Sequence, residues 1–66
     1  MMTNRRFTNI SGTDTITVYY RSDLYPEWTY IELSPGQVTS VNGGQYVEYK
    51  IDPENAHNLR VDTYRD

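Results

Sequence analysis

The sequence contains no cysteine and one histidine, His57. The lack of cysteine excludes disulfide bonds, iron–sulfur clusters and thiolate zinc sites within this chain. A zinc site built on His57 would need three carboxylate ligands or residues from a second chain. Chains shorter than about 70–80 residues usually supplement a small hydrophobic core with disulfides, a metal or partner subunits. Because the first two are not available, we expect partner subunits to complete this 66-residue chain.

Positive charge is also scarce. The net charge is −3, the pI is about 4.9, and Arg5-Arg6 is the one adjacent pair among six basic residues. Nucleic acids and acidic membranes bind clustered lysines and arginines, so we expect neither of them as a partner. No apolar run approaches the ~20 residues of a membrane span, and we recognise no signal peptide that would direct secretion.

Arrangements typical of catalysis are not recognisable. Ser22, Ser34 and Ser40 lie in or beside predicted turns, and none has the flanking motif of a serine nucleophile. Asp52 and Glu54 have a spacing that suits a helix cap and a first-turn charge better than acid–base chemistry. We therefore predict that the chain is not an enzyme and has no small-molecule substrate.

One group of oxygen and nitrogen ligands occurs near the C-terminal end, namely Asp52, Glu54, Asn55 and His57. The residue spacing and the glycine of a calcium-binding EF-hand are absent from it. A short capped helical turn explains these residues without a metal, so we predict neither a metal nor a cofactor.

What the sequence does contain is a series of short β-rich runs. In residues 15–21, Ile16, Val18 and Tyr20 alternate with polar residues and Tyr19, which predicts a strand with one face on a core. Similar runs occupy residues 6–10, 28–33, 38–41, 45–51 and 59–64. Residues 34–37 predict a tight turn in which Gly36 adopts a positive φ.

These runs predict an all-β fold of five to six strands. Short connections favour antiparallel neighbours, and a single sheet of this size could not cover its apolar face. We expect a small antiparallel β-sandwich or partly open barrel, with one short helical turn near residues 53–57. Residues 1–6 are predicted to be an extended N-terminal arm, and residues 7–66 a single β-domain.

The aromatic residues are the most informative feature, because seven tyrosines and one tryptophan occur in so short a chain. Tyrosine and tryptophan combine a large contact area with a polar group and are enriched in protein interfaces. Packing within the sheets, or a platform that stacks sugars or single-stranded nucleic acid, remains an alternative use. The predicted interface residues are Arg5, Arg6, Phe7, Tyr19, Trp28, Tyr30, Tyr46 and Tyr64.

The leading functional hypothesis is a non-catalytic structural or accessory subunit of a larger protein assembly. A virion component, such as a phage capsid decoration or tail accessory protein, fits this size and class, as a homo-oligomer or among other subunits. The expected location is then the virion or the host-cell cytoplasm. The alternatives are a small binding module or phage-encoded inhibitor of a host protein and, third, a carbohydrate-binding domain that uses Trp28. An inhibitor could mimic nucleic acid through the carboxylates of Glu27, Glu32, Glu48, Asp62 and Asp66.

Overall fold

A computed structural model describes residues 2–65 and shows six β-strands and one short helix. The strands are β1 (Thr3–Asn9), β2 (Ile16–Ser22), β3 (Thr29–Leu33), β4 (Val38–Gly43), β5 (Val47–Lys50) and β6 (Leu59–Arg65). The helix is a 3-10 helix at Pro53–Asn58, which confirms the predicted helical turn, although Asp52 makes no side-chain capping bond.

The strands form two antiparallel sheets of three strands each. Sheet A has the order β4-β1-β6, and sheet B has the order β3-β2-β5. The predicted antiparallel sandwich is thus confirmed, and among the described residues the two sheets do not close into a barrel. Strand β1 is the central strand of sheet A, and β2 is the central strand of sheet B.

The hydrophobic core lies between the two sheets. Phe7 of β1 packs with Ile16 and Val18 of β2 and with Leu33 of β3, and all four side chains are buried. The Phe7 ring also forms a T-shaped pair with Tyr49 of sheet B, with ring centroids 5.4 Å apart. Partly buried side chains surround this cluster, namely Ile31, Val41, Ile51, Leu59 and Val61.

Strand β1 corrects the predicted N-terminal arm. Residues 3–6 belong to β1, which pairs with β4 on one side and with β6 on the other. The Thr3 hydroxyl is buried and donates to the carbonyl oxygen of Gln45, and Arg5 Nε donates to the carbonyl oxygen of Val47. These polar side chains can face inward because backbone carbonyl oxygens accept their hydrogen bonds. Residues 3–6 are therefore part of the β-domain. Met1 lies outside the described residues.

Asn9 holds one end of the sandwich, which we call the closed end. It is fully buried, and its Nδ2 donates to the carbonyl oxygens of Asp14 (2.7 Å) and Leu33 (2.8 Å). Its Oδ1 accepts from the backbone N–H of Ser11 (2.9 Å). Thus one side chain connects the end of β1 to the end of β3 and to the loop before β2.

The tight turn at the closed end forms as predicted. Gly36 has φ 79°, and the Gln37 N–H donates to the Ser34 carbonyl oxygen. The Gly36 N–H in turn donates to the carbonyl oxygen of Asn9. Only glycine adopts this left-handed backbone conformation without a steric cost.

Asp23 holds the opposite end, which we call the open end. Its carboxylate accepts from the backbone N–H groups of Gln45 (2.8 Å), Gly44 (2.9 Å) and Tyr46 (3.5 Å). The hydrogen bond from Gln45 is the main cause that lowers the pKa of Asp23, with smaller contributions from Gly44 and Tyr46. Exposed hydrogen bonds to a charged carboxylate therefore join the loop after β2 to the connection between β4 and β5.

Candidate functional site

The outward side of sheet B carries a cluster of aromatic and charged side chains. Cross-strand register places Tyr19 of β2 between Tyr30 of β3 and Lys50 of β5. One position further along the alternation of β2, Arg21 lies opposite Glu48. Trp28 immediately precedes β3. We call these six residues (Tyr19, Arg21, Trp28, Tyr30, Glu48 and Lys50) the aromatic face.

Two cations lie over the rings of the aromatic face. The centroid of the Trp28 ring is 4.3 Å from Lys50 Nζ and 4.5 Å from Arg21 Cζ. Lys50 Nζ is also 5.8 Å from the centroid of the Tyr19 ring. These distances are within the ~6 Å range of cation–π attraction, which contributes about 0.5–1 kcal/mol at exposed positions. The cations and rings thus restrict one another's conformations.

The two cations differ in their ionic partners. Arg21 Nη2 and Nε both lie 2.9 Å from Glu48 Oε2, so the charge of Arg21 is paired within the face. Within residues 2–65, Lys50 forms no salt bridge. Lys50 therefore presents a positive charge that a carboxylate from another molecule can contact.

The rings themselves remain accessible to a partner. The exposed fractions are 60% for Tyr30, 41% for Tyr19 and 38% for Trp28. The Tyr19 and Tyr30 rings are adjacent, with centroids 6.0 Å apart. Tyrosine, tryptophan and arginine are the residue types enriched at energetically important positions of protein interfaces.

The outward side of sheet A has a different composition. There Arg6 of β1 lies over the ring of Tyr64 of β6, with its Cζ 4.9 Å from the centroid. Arg60 Nε pairs with Asp62 Oδ2 at 3.2 Å. The single ring on this side has no aromatic neighbour within its sheet, so it offers a natural control for the aromatic face.

The structure therefore separates the residues that the sequence grouped as one interface. Tyr19, Trp28 and Tyr30 lie together on the aromatic face, whereas Arg6 and Tyr64 lie on the opposite side of the sandwich.

The remaining three predicted residues lie elsewhere. Tyr46 is exposed at the open end, where its N–H contacts Asp23. Arg5 faces inward, with its Nη1 donating to the hydroxyl of Thr63 at 2.7 Å. Phe7 is 0% exposed, so the structure corrects its assignment as a contact residue. Alternate residues of a strand lie on the same face, so Phe7 faces inward together with Thr3, Arg5 and Asn9.

Three residues of the aromatic face were not among the predicted interface residues, namely Arg21, Glu48 and Lys50. The two-residue periodicity of their strands places them on the outward side with Tyr19. Their convergence depends on the register of β2 with β5, which the sequence alone does not reveal.

The aromatic face consists of aromatic rings and charged groups. Residues 2–65 contain no group of three or more His, Cys, Asp or Glu side chains placed to hold a metal ion. Among these residues there is also no helix long and apolar enough to cross a bilayer. What the arrangement can do is bind, through ring contacts, the ammonium of Lys50 and the polar ends of two tyrosines.

The sequence matches no protein-family model, and no curated protein or solved structure is significantly similar to it.

Proposed function

We propose that this chain is a non-catalytic structural or accessory subunit that contacts a larger protein assembly through the aromatic face. The observation that carries the proposal is the set of exposed rings of Tyr19, Trp28 and Tyr30, held beside Lys50 and Arg21. Ordered rings lose little conformational entropy on binding, which favours their use as contact residues.

The charges of the face indicate the chemistry of its partner. Since Arg21 is neutralised by Glu48 and Lys50 is not paired within residues 2–65, the face presents one available cation. The complementary surface is a protein patch with an apolar centre and a carboxylate at its margin.

The charge distribution favours this function over mimicry of nucleic acid. Of the carboxylates that a mimic would use, Glu48 is paired with Arg21 and Asp62 with Arg60. Asp66 lies outside the described residues. A mimic needs an array of uncompensated negative charges, and these pairs interrupt it. A virion remains the setting that we expect for the assembly, on the basis of size and class alone.

The experiment compares three forms of the chain in the organism that encodes it. A tagged wild-type chain, the double variant Trp28→Ala/Tyr30→Ala, and Tyr64→Ala are each fractionated by native size. We expect the wild-type chain and Tyr64→Ala to elute with a large particle. The double variant should elute at the mass of the free chain, because it lacks two of the three contact rings.

Circular dichroism of the purified variants controls for folding, since all three substituted rings are exposed. Elution of the wild-type chain as a free species of about 8 kDa would contradict the proposal. So would a folded double variant that elutes with the particle like the wild-type chain.

A further inference from the structure

Strand β4 is an edge strand without the usual protection of edges. It pairs with β1 on one side, and no described strand pairs with its other side. Its six residues include no charged side chain, whereas each of the other five strands has at least one. Proteins commonly protect edge strands with charges, proline or bulges, because free backbone groups there can pair with another chain.

The register identifies which backbone groups of β4 are free. Asn9 donates its N–H to the Gln37 carbonyl oxygen, so hydrogen-bonded pairs follow at every second residue along β1 and β4. This alternation directs the backbone N–H and C=O groups of Val38, Ser40 and Asn42 away from β1. Backbone groups free on three alternate residues are enough to pair with a short extended segment.

A groove of about 690 Å³ lies beside the same edge. Ser40, Val41 and Asn42 of β4 form one of its sides. The other sides carry Met2, Tyr20, Leu24 and Tyr25, together with Thr29 and a single charged residue, Glu27. The groove therefore combines an apolar and aromatic lining with one negative charge at the open end.

We propose that β4 and this groove bind an extended peptide segment of a partner protein by strand addition. The segment pairs with the free backbone groups of β4 and places an apolar side chain between Leu24 and Tyr25. It carries a lysine or arginine that reaches Glu27. Backbone pairing supplies affinity in this mode of recognition, and side-chain contacts supply specificity. This site is separate from the aromatic face and does not depend on the function proposed for that face.

The charges favour a different protein over a second copy of this chain as the occupant. Strand β4 of a second copy has no cation to offer Glu27. Two chains of net charge −3 also repel each other. A segment with a basic residue satisfies Glu27 and meets the acidic chain favourably.

The test uses the ¹⁵N-labelled full chain and two capped seven-residue peptides. Each peptide alternates valine with threonine, and the two carry either a lysine or a glutamate at the same position. We expect the lysine peptide to shift the amide resonances of residues 38–43 and of Leu24 and Tyr25. The lysine peptide should bind roughly two- to five-fold more tightly than the glutamate peptide, as for an exposed ion pair. In Glu27→Gln this preference should disappear.

Two substitutions at one position test the backbone pairing. Ser40→Pro removes a free N–H from the edge and should weaken binding of the lysine peptide at least ten-fold, whereas Ser40→Ala retains the N–H and should bind normally. If Ser40→Pro fails to fold, the binding of the lysine and glutamate peptides to the wild type and to Glu27→Gln still tests the proposed site.

Three results would overturn the proposal. One is the absence of amide shifts at millimolar peptide, and another is a set of shifts confined to the aromatic face. The third is self-association of the peptide-free chain that Ser40→Pro abolishes, because that result assigns the β4 edge to a second copy.

Discussion

The two ends of the sandwich are held together by different means. At the closed end, the fully buried Asn9 makes three side-chain hydrogen bonds that connect β1, β3 and the loop before β2. At the open end, the exposed carboxylate of Asp23 connects two loops, and the buried Thr3 hydroxyl makes one hydrogen bond, to the Gln45 carbonyl oxygen. The groove beside β4 lies at the open end as well. We therefore expect the buried Asn9 amide to contribute more to stability than the exposed Asp23 carboxylate.

The two ends also differ in their exposed large side chains. Met2, Leu24, Tyr25, Trp28 and Tyr46 are exposed at the open end. At the closed end the corresponding residues are Ile10 and Val38. Clusters of exposed apolar and aromatic groups mark interaction sites in folded proteins more often than scattered single residues do.

The largest effect on stability is expected for Asn9→Ala. The substitution leaves two carbonyl oxygens and one N–H without their partner at a buried position. We expect a loss of about 2–4 kcal/mol in the free energy of unfolding, measured by urea denaturation. For a domain of this size, each kcal/mol lowers Tm by about 4–8 °C.

Asn42→Ala is the matched control, because Asn42 is an exposed asparagine in β4 near the open end. Its effect should stay within about 0.5 kcal/mol. Equal losses for the two alanine variants would show that the closed end has no special role in stability.

A smaller loss is expected for Gly43→Ala at the open end. A Cβ atom at Gly43 would overlap the carbonyl oxygen of Tyr46 and lie 2.9 Å from Val47 Cγ2. Relief of this overlap requires a backbone shift, so we expect a loss of about 1–3 kcal/mol in urea denaturation.

Gly12→Ala controls for the general effect of adding a methyl group, because nothing lies within 4 Å of a Cβ at that position. Its effect should stay within about 0.5 kcal/mol. If Gly43→Ala proves equally neutral, the connection between β4 and β5 is looser than the structure shows.

The smallest effect is expected for Asp23→Asn, and it should depend on pH. Hydrogen bonds to the carboxylate, first from Gln45, lower the pKa of Asp23 below its usual value of 3.8. A lowered folded-state pKa stabilises the fold above the unfolded-state pKa, and this contribution is lost as pH falls through the folded-state value. The variant should therefore have a lower urea midpoint than the wild type at neutral pH. The difference should shrink below about pH 4.

Asp52→Asn is the control, since Asp52 makes no capping bond to the 3-10 helix. A difference between wild type and Asp23→Asn that persists unchanged in acid would contradict a role for the ionised carboxylate.

Most of the fold could be predicted from the sequence, and the main exception is the start of β1. The alternation of Ile16 and Val18, and the turn at Gly36, predicted the elements that the structure shows. The predicted start of the first strand, at residue 6, was wrong because the inward positions of β1 include the polar residues Thr3, Arg5 and Asn9. A hydrophobic pattern does not detect a buried side chain that is polar and satisfied by backbone carbonyls.

The candidate site was predicted only in part. Exposed rings on the outer positions of β2 and β3 were identified, since periodicity determines which side of a strand a residue occupies. The pairing of Lys50 with Trp28 and the groove beside β4 depend on register and on the packing of one sheet against the other. Neither can be read from a single strand.

The most direct test of the proposed contact is hydroxyl-radical footprinting of the chain, first free and then in the large particle that the proposed function requires. Mass spectrometry would compare oxidation of Trp28 and Tyr30 on the aromatic face with that of Tyr64 on the opposite side. We predict that Trp28 and Tyr30 react in the free chain and become protected in the particle, while Tyr64 stays reactive. Protection of Tyr64 with Trp28 and Tyr30 still fully reactive would contradict the account.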